Sequence, residues 1–343
     1  MPSPSPSPAA PFPCLMVRRD QHTDRRAKAT CAVESIRTDD LPPGDVLIAV
    51  EWSSLNYKDA LACQAHPGVV RKLPHVPGID CAGTVLESQV PQFTAGQPVL
   101  VTGYDLGSGR WGGWSAQVRV PAEWIVPMPA GLCAETAMLY GTAGFTAAQS
   151  VSCLRQHGVI PGAGEVVVTG ATGGVGSLAV AILAQLGYQV AASTGKLEQA
   201  TLLEELGAAR ILNRDQVDDT SDQPLLPDRW AGAIDTVGGN TLATLVRETR
   251  YRGCVTACGL VAGDQLPLTV YPFIIRGVTL AGIDSAQCPR EPRLRIWQHL
   301  AEDWKPDGLE RLAHKITLSE VPKQVGAMMA GQTRGRILVR PGA

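Results

Sequence analysis

Aromatic residues make up only 5% of the 343 positions, so a core built from this chain is expected to be aliphatic. Neither charge sign dominates. Thirty Lys and Arg stand against 32 Asp and Glu, for a formal net charge of -2. That balance supplies no positive field for nucleic acid or an acidic membrane, and neither is expected as a partner. No uncharged apolar run reaches membrane-spanning length, because the most apolar stretch, Leu178 to Ala192, is interrupted by Gln185, Gly187 and Gln189. Met1 to Pro13 alternates Pro and Ser without the basic and apolar segments of a secretory signal, and reads as a disordered tail. The nine Cys are odd in number and scattered, which suits reduced thiols rather than a disulfide framework. A soluble, cytoplasmic protein is expected. None of the six His falls in a Ser/His/Asp or Cys/His pattern, so hydrolase chemistry has no support.

What is present points to two domains, the natural division for a chain of 343 residues with 45% hydrophobic content. Between Asp45 and Trp124, short Val- and Leu-rich runs such as 46–50, 83–86 and 98–101 are punctuated by Gly and Pro, predicting a β-rich, barrel-like region. After Ala134 an Ala-rich helical stretch leads to Glu165-Val166-Val167-Val168-Thr169, then to glycines, then to an apolar helix from Ser177. Further strands are predicted at 188–192, 209–212, 233–237, 253–257 and 278–282. The alternation with helices predicts a right-handed, doubly wound parallel sheet. The last stretch holds a helix around Arg293 to Trp304 and a strand at 336–339 that returns toward the first domain. No internal repeat of solenoid period is present.

The segment Thr169-Gly170-Ala171-Thr172-Gly173-Gly174-Val175-Gly176 lies between a strand and a helix, where glycines let the backbone approach a pyrophosphate at the helix's positive end. An NAD site places an acid at the end of the next strand, roughly 20 residues on. Here that position reads Ser193-Thr194-Gly195-Lys196. Two hydroxyls and a Lys cannot accept from ribose hydroxyls, but they can donate to a 2′-phosphate, so NADPH is the expected cofactor. Arg214 follows the third strand and could reach the same phosphate. The competing reading of Lys196 is a solvated charge opening the next helix.

Ser54-Leu55-Asn56-Tyr57-Lys58-Asp59, Pro77 to Val85, Gly141 to Ala147, the glycine segment with Ser193 to Lys196, Ala233 to Gly238 and Cys258-Gly259-Leu260 together span most of the chain from about residue 15. With these stretches the chain resembles the medium-chain dehydrogenase/reductase superfamily, and within it the acryloyl-CoA reductase branch of the zinc-independent quinone oxidoreductases. The resemblance implies a Rossmann doubly wound parallel sheet (139–285) inserted into a β-rich GroES-like barrel domain (14–138 and 286–343), with the active site in the cleft between them. It implies that Tyr57 lies near the nicotinamide and that Thr172, Gly173, Gly174 and Val175, with Thr194, Gly195, Lys196 and Arg214, hold the phosphates. Leu260, Ile274 and Ser285 would line the cofactor channel, and Thr142 would join the cofactor contacts. The position near the C-terminal Gly-Arg that is often Asn or Gln in this branch falls among Ala330, Gly331 and Gln332, a departure from the pattern.

Zinc relatives carry a Cys and a Gly-His-Glu where this chain has Ser53 and Gly78-Ile79-Asp80. An apolar side chain cannot ligate, so no catalytic zinc is expected. The Cys-rich structural-zinc lobe is missing as well. Cys63, His66, His75 and Cys81 form only an irregular ligand pattern. Without a metal, the expected chemistry is hydride delivery to an already electrophilic acceptor: an enoyl thioester such as acryloyl-CoA, an enone or a quinone. A non-catalytic, NADPH-binding redox sensor is the alternative from another class. Tyr57 either orients the reacting groups, delivers a proton, or packs against the ring. Asn56 either donates to an oxyanion or satisfies a buried loop. Asp59 and Asp80 read as structural, and Lys58 as a solvated charge. Arg110, Arg119 and Arg276 are available for a CoA phosphate. A homodimer through the edge of the nucleotide-binding sheet is the family expectation.

Overall fold

A computed structural model describes residues 10–19 and 29–343. The chain forms two compact units, Met1–Gly141 with Ala313–Ala343, and Thr142–Leu312. Of the tail expected over 1–13, positions 1–9 lie outside the described residues. Phe12 and Pro13, however, belong to a strand, since Phe12 is buried in the core of the first unit.

In the first unit β1 (Phe12–Arg18) pairs antiparallel with β2 (Thr30–Ile36). There follow β3 (Val46–Leu55), the short helix α1 (Tyr57–Cys63), β4 (Asp80–Ser88), β5 (Pro98–Thr102), β6 (Gln117–Val120) and β7 (Val126–Pro127). The Val- and Leu-rich runs of the sequence are these strands. β3 is long and irregular, with register shifts between Leu47 and Ile48 and between Val50 and Trp52, so it bends and serves β4 and β6 together. Helix α2 (Ala134–Gln156) is broken at Gly141, with φ 51° and ψ -155°, and there the chain passes into the second unit.

The second unit is built on β8 (Val166–Val168), α3 (Gly174–Gln185), β9 (Val190–Thr194), α4 (Ala200–Glu205), β10 (Arg210–Asn213), β11 (Trp230–Asp235), α5 (Gly239–Glu248), β12 (Thr249–Ala257), α6 (Tyr271–Arg276), β13 (Thr279–Gly282) and α7 (Arg290–Ala301). The six strands lie in the order β10-β9-β8-β11-β12-β13 and every neighbouring pair is parallel. The first three strands grow to one side of β8 and the next three to the other, which makes a switch point between β8 and β11. β8, β9 and β11 are buried at every residue, as strands covered on both faces must be.

The chain then returns to the first unit with β14 (Ala313–Thr317), α8 (Val321–Met329) and β15 (Arg336–Arg340). β15 lies antiparallel on β3, completing the order β14-β15-β3-β4-β5-β7, with β6 also on β3. The return falls at Ala313 rather than near 286, because α7 packs within the second unit. There the fully buried Trp297 stacks on Phe145 at 6.0 Å and Arg293 lies 4.9 Å over the same ring. The buried set is mostly aliphatic, as expected, yet its largest members are aromatic: Trp114, Trp230, Trp297, Tyr140 and Phe145. Among the described residues no helix is long and apolar enough to cross a membrane.

Candidate functional site

In the second unit the residues of the glycine segment stand at the carboxyl edge of the sheet, after β8. α3 starts from Gly173, whose position carries no side-chain cap, so the first-turn N–H groups are left for an anion. A Cβ on Gly176 would lie 2.3 Å from the Gly170 carbonyl oxygen, so only glycine lets α3 approach the turn this closely. At the end of β9 the Thr194 hydroxyl lies 3.1 Å from that of Thr172 and accepts the Lys196 backbone N–H at 3.0 Å. Gly195 is exposed, and Arg214, just beyond β10, passes so close that a Cβ at 195 would lie 3.3 Å from its side chain. The structure thus gathers Thr172, Gly173, Gly174, Val175, Thr194, Gly195, Lys196 and Arg214 at one edge. Lys196 is half-buried, and the loss of solvent lowers its pKa.

The neighbouring strand end is braced by Asp235, which accepts the Thr169 hydroxyl at 2.7 Å and the Gly238 N–H at 2.7 Å. Leu260 follows β12, exposed, with its Cα 3.0 Å from the point a Cβ on Gly238 would occupy. Ser285 follows β13 and its carbonyl accepts from Arg293 at 3.2 Å. Ile274 is 72% exposed on α6. Its near neighbour Arg276 is tied to the carbonyls of Arg247, Thr249 and Leu226, at the amino end of β12, so nothing here groups Ile274 with the carboxyl-edge set. Thr142 is half-buried in α2 and its carbonyl accepts the Thr146 hydroxyl at 2.7 Å.

The first unit holds a buried polar cluster around the start of α1. Asn56 precedes the helix and Tyr57, its first residue, is 50% exposed. One oxygen of Asp59 accepts the N–H groups of Gly78 (3.1 Å) and Ile79 (2.8 Å); the other accepts the Asn56 N–H at 2.8 Å and its amide at 3.2 Å. Asp80 accepts the Ser54 hydroxyl at 2.6 Å and the Asn56 amide at 2.8 Å. Arg336, from β15, donates to the Leu139 carbonyl at 2.9 Å and to the Asn56 side-chain oxygen at 3.1 Å. A Cβ on Gly141 would lie 2.5 Å from an Asp80 oxygen and 2.7 Å from an Arg336 nitrogen, so the break in α2 is shaped to this cluster. Burial, and after it the charge of Asp80, pushes the Asp59 carboxyl up to about 7 against the pull of its N–H donors. Arg336 is lowered by its own burial and held up by the two carboxylates.

Sequence reasoning named Asn56, Tyr57, Asp59 and Asp80 without bringing the four together, and it missed Arg336, whose charge faces both carboxylates. Asn56 spends both ends of its amide inside the cluster, which favours the loop-holding alternative over an oxyanion donor. Arg110, Arg119 and Arg276 are also engaged: Arg110 donates to the Pro43 carbonyl, Arg119 lies 3.8 Å from Glu87, and Arg276 holds the three carbonyls named above.

The residues at the zinc position of related dehydrogenases do not fit a metal. The Ser53 hydroxyl donates to the Asp80 carbonyl at 2.6 Å, and Ile79 offers no ligand atom. His66 Nδ1 accepts from the Gly68 N–H at 3.1 Å, and His75 Nε2 pairs with the Gly107 carbonyl at 2.9 Å. Among the described residues, the one group of three or more His, Cys, Asp or Glu gathered around a common point is Cys153, His157 and Cys254, in the second unit. All nine cysteines are free.

A six-stranded, doubly wound sheet with an anion-ready glycine turn, carried on one chain with a strand-built unit, is the architecture of a nicotinamide-dependent oxidoreductase. The family model for the alcohol dehydrogenase GroES-like domain matches residues 42–130, and that for zinc-binding dehydrogenases matches 174–301. The acrylyl-CoA reductase AcuI of Ruegeria pomeroyi is 47% identical over 96% of this chain and 98% of its own length. The putative quinone oxidoreductase YhfP of Bacillus subtilis is 46% identical over 90% of this chain and 94% of its own. A crystal structure of the yhdH oxidoreductase of Salmonella enterica in complex with NADP superposes with a TM-score of 0.91 at 46% identity, covering 96% of this chain and 99% of that one. The chain belongs to the medium-chain dehydrogenase/reductase family, in its acrylyl-CoA reductase branch.

Proposed function

We propose that this protein reduces the carbon–carbon double bond of a 2-enoyl thioester, acryloyl-CoA to propanoyl-CoA, with NADPH and without zinc. The observation that carries the reading is the near full-length likeness to the Ruegeria acrylyl-CoA reductase. The cofactor reading is supported by the edge of the second unit, where the Thr172 and Thr194 hydroxyls stand beside the Lys196 backbone, Arg214 passes Gly195, and β9 ends without an acid. NADPH, when bound, supplies the hydride. Thr172 to Val175 offer backbone N–H groups to its pyrophosphate, and Thr194, Gly195, Lys196 and Arg214 hold the 2′-phosphate. Thr142, Leu260 and Ser285 are assigned to the remaining cofactor contacts; Ile274, on α6 beside the amino end of β12, is left out of them.

An enoyl thioester is electrophilic at its β-carbon, so the protein has only to orient it, stabilise charge developing on the thioester oxygen and let a proton reach the α-carbon. Tyr57 is the exposed group of the first unit suited to this, and its neutral phenol can donate. Asn56, Asp59, Asp80 and Arg336 form the scaffold that fixes Tyr57 at the start of α1. The second reading, quinone or enone reduction, is favoured by the likeness to YhfP. The protein is assigned to the cytoplasm, in keeping with its free thiols. It is proposed to form a homodimer through the edge strand β13, just before which in the chain Ile274 (72%) and Ile275 (53%) are exposed on α6.

The test follows NADPH absorbance with acryloyl-CoA, with NADH and a benzoquinone in parallel. Fast, NADPH-selective turnover of acryloyl-CoA is expected. Equal, poor rates with acryloyl-CoA and the quinone would overturn the thioester reading, and turnover of the quinone alone would establish the second.

A further inference from the structure

Cys153 stands in the last turn of α2, His157 follows one turn later, and Cys254 lies in β12, fully buried. One side-chain ligand atom from each lies within 4.8 Å of the others, and Cys153 Sγ is 3.7 Å from His157 Nδ1. The Cys-x3-His spacing puts two ligands on one helix face. The third comes from the strand beneath. We propose that Cys153, His157 and Cys254 bind one Zn2+ ion, the fourth position being taken by water, at a site separate from the zinc position of related dehydrogenases.

The chemistry and the space agree with this assignment. A tetrahedral zinc with Zn–S near 2.3 Å and Zn–N near 2.0 Å sets its ligand atoms roughly 3.5–3.8 Å apart, so the trio closes by about an ångström or less. Cys153 and His157, toward the surface, can make that move while Cys254 stays fixed in the sheet. His157 Nδ1 now hydrogen-bonds the Cys153 carbonyl at 2.9 Å; on binding, that nitrogen carries the lone pair to the metal and the proton resides on Nε2. Each thiol gives its proton to solvent as its Zn–S bond forms, nothing is oxidised or reduced, and two thiolates neutralise the ion. Water has a route, since Cys153 also lines a cavity of ≈ 340 Å3 with Gln149, Ser152 and Gln156. The bound ion would pin the end of α2 to β12, the strand next to the β13 edge of the nucleotide-binding sheet. No acid lies within the trio, so the donor set favours a borderline or soft cation over Mg2+ or Ca2+.

The experiment uses the full chain, reduced and stripped with a chelator, titrated with Co2+ as a spectroscopic probe and then with Zn2+. One Co2+ per chain is expected, with the intense thiolate charge-transfer and visible bands of a tetrahedral site, displaced by Zn2+, and Zn2+ should raise the melting temperature. Cys153→Ser, half-buried, and His157→Ala, exposed, should weaken binding by more than the ~10–100-fold that losing an outer-sphere partner costs. Cys254→Ala should do the same, but Cys254 is buried, so the two outer variants decide the matter if it misfolds. Cys258→Ser should bind like the parent, because Cys258 donates instead to the Asp235 carbonyl. Absence of the cobalt bands, or undiminished binding in Cys153→Ser, overturns the proposal, as does a Cys153–Cys254 disulfide that persists in reductant.

Discussion

Replacing Arg336 with Met removes the guanidinium that faces two buried carboxylates while keeping most of the side-chain volume. Arg336 is 2% exposed and Asp59 and Asp80 are fully buried, so water cannot take over its role. Arg336 makes no direct ion pair with either carboxylate, but removing a buried charge that faces both is on the order of the 3–5 kcal/mol that breaking a buried ion pair costs, and here the Leu139 carbonyl and the Asn56 oxygen also lose their donor. We therefore expect the first unit to lose about 3–5 kcal/mol, without adding the orphaned acceptors separately, because they belong to one network. The loss should depend on pH. Folding raises Asp59 to about 7, so the folded state favours its protonated form. That contribution is complete below the unfolded carboxylate pKa and is lost as pH rises through about 7; a shift of three units corresponds to about 4 kcal/mol. Without Arg336 nothing offsets Asp80, the Asp59 pKa rises further, and the deficit grows above pH 7 and shrinks below it. Hydrogen exchange of the amides in β3, β4 and β15, corrected for intrinsic rate and measured at about pH 6 and pH 8, reads the opening of this unit. Adding Asp80→Asn to Arg336→Met should restore about 2 kcal/mol at the higher pH. A loss under about 1 kcal/mol, or one that is equal at both pH values, would refute the reasoning.

Lys196→Ala should raise the KM for NADPH by about 10–100-fold, as loss of a charge-assisted hydrogen bond does, and leave that for NADH nearly unchanged; equal effects on both cofactors would remove Lys196 from the phosphate site. Tyr57→Phe separates the roles of the phenol: a fall in kcat of about 100-fold or more marks proton delivery, and a change under about fivefold marks orientation or packing alone. Light scattering should give twice the chain mass, and Ile274→Glu should shift the protein toward monomer; a monomeric parent protein would refute the β13 interface.

The second unit was legible because its signals are local. Three consecutive valines before a glycine turn, an apolar helix after it, and strands recurring at regular intervals leave few alternatives, and the strands formed within a few residues of their predicted positions. In the first unit β1 was half hidden, since Phe12 and Pro13 share the composition of the Pro/Ser stretch before them. Helix α7 was assigned to the wrong side because nothing in Arg290 to Ala301 tells that Trp297 finds Phe145. The site divided in the same way. Thr194 to Lys196 could be read from a missing acid, whereas Arg336 could not, because an Arg flanking Ile337-Leu338-Val339 looks like a solvated strand end. Its only signal is that it directly precedes a run bound for the core, where an uncompensated charge would be costly. Cys153 and His157 are neighbours by helical spacing, but only the sheet brings Cys254 to them.

Arg336 and Asn56 are 280 residues apart in the chain, and β3 receives β15 only after the whole second unit has been made. During synthesis the nucleotide-binding unit, complete within one continuous stretch, is free to fold first, while Asp59 and Asp80 await their cation and β3 keeps an open edge. A frameshift or stop beyond Leu312 would therefore spare a finished cofactor-binding unit and strand the earlier residues in an aggregation-prone state.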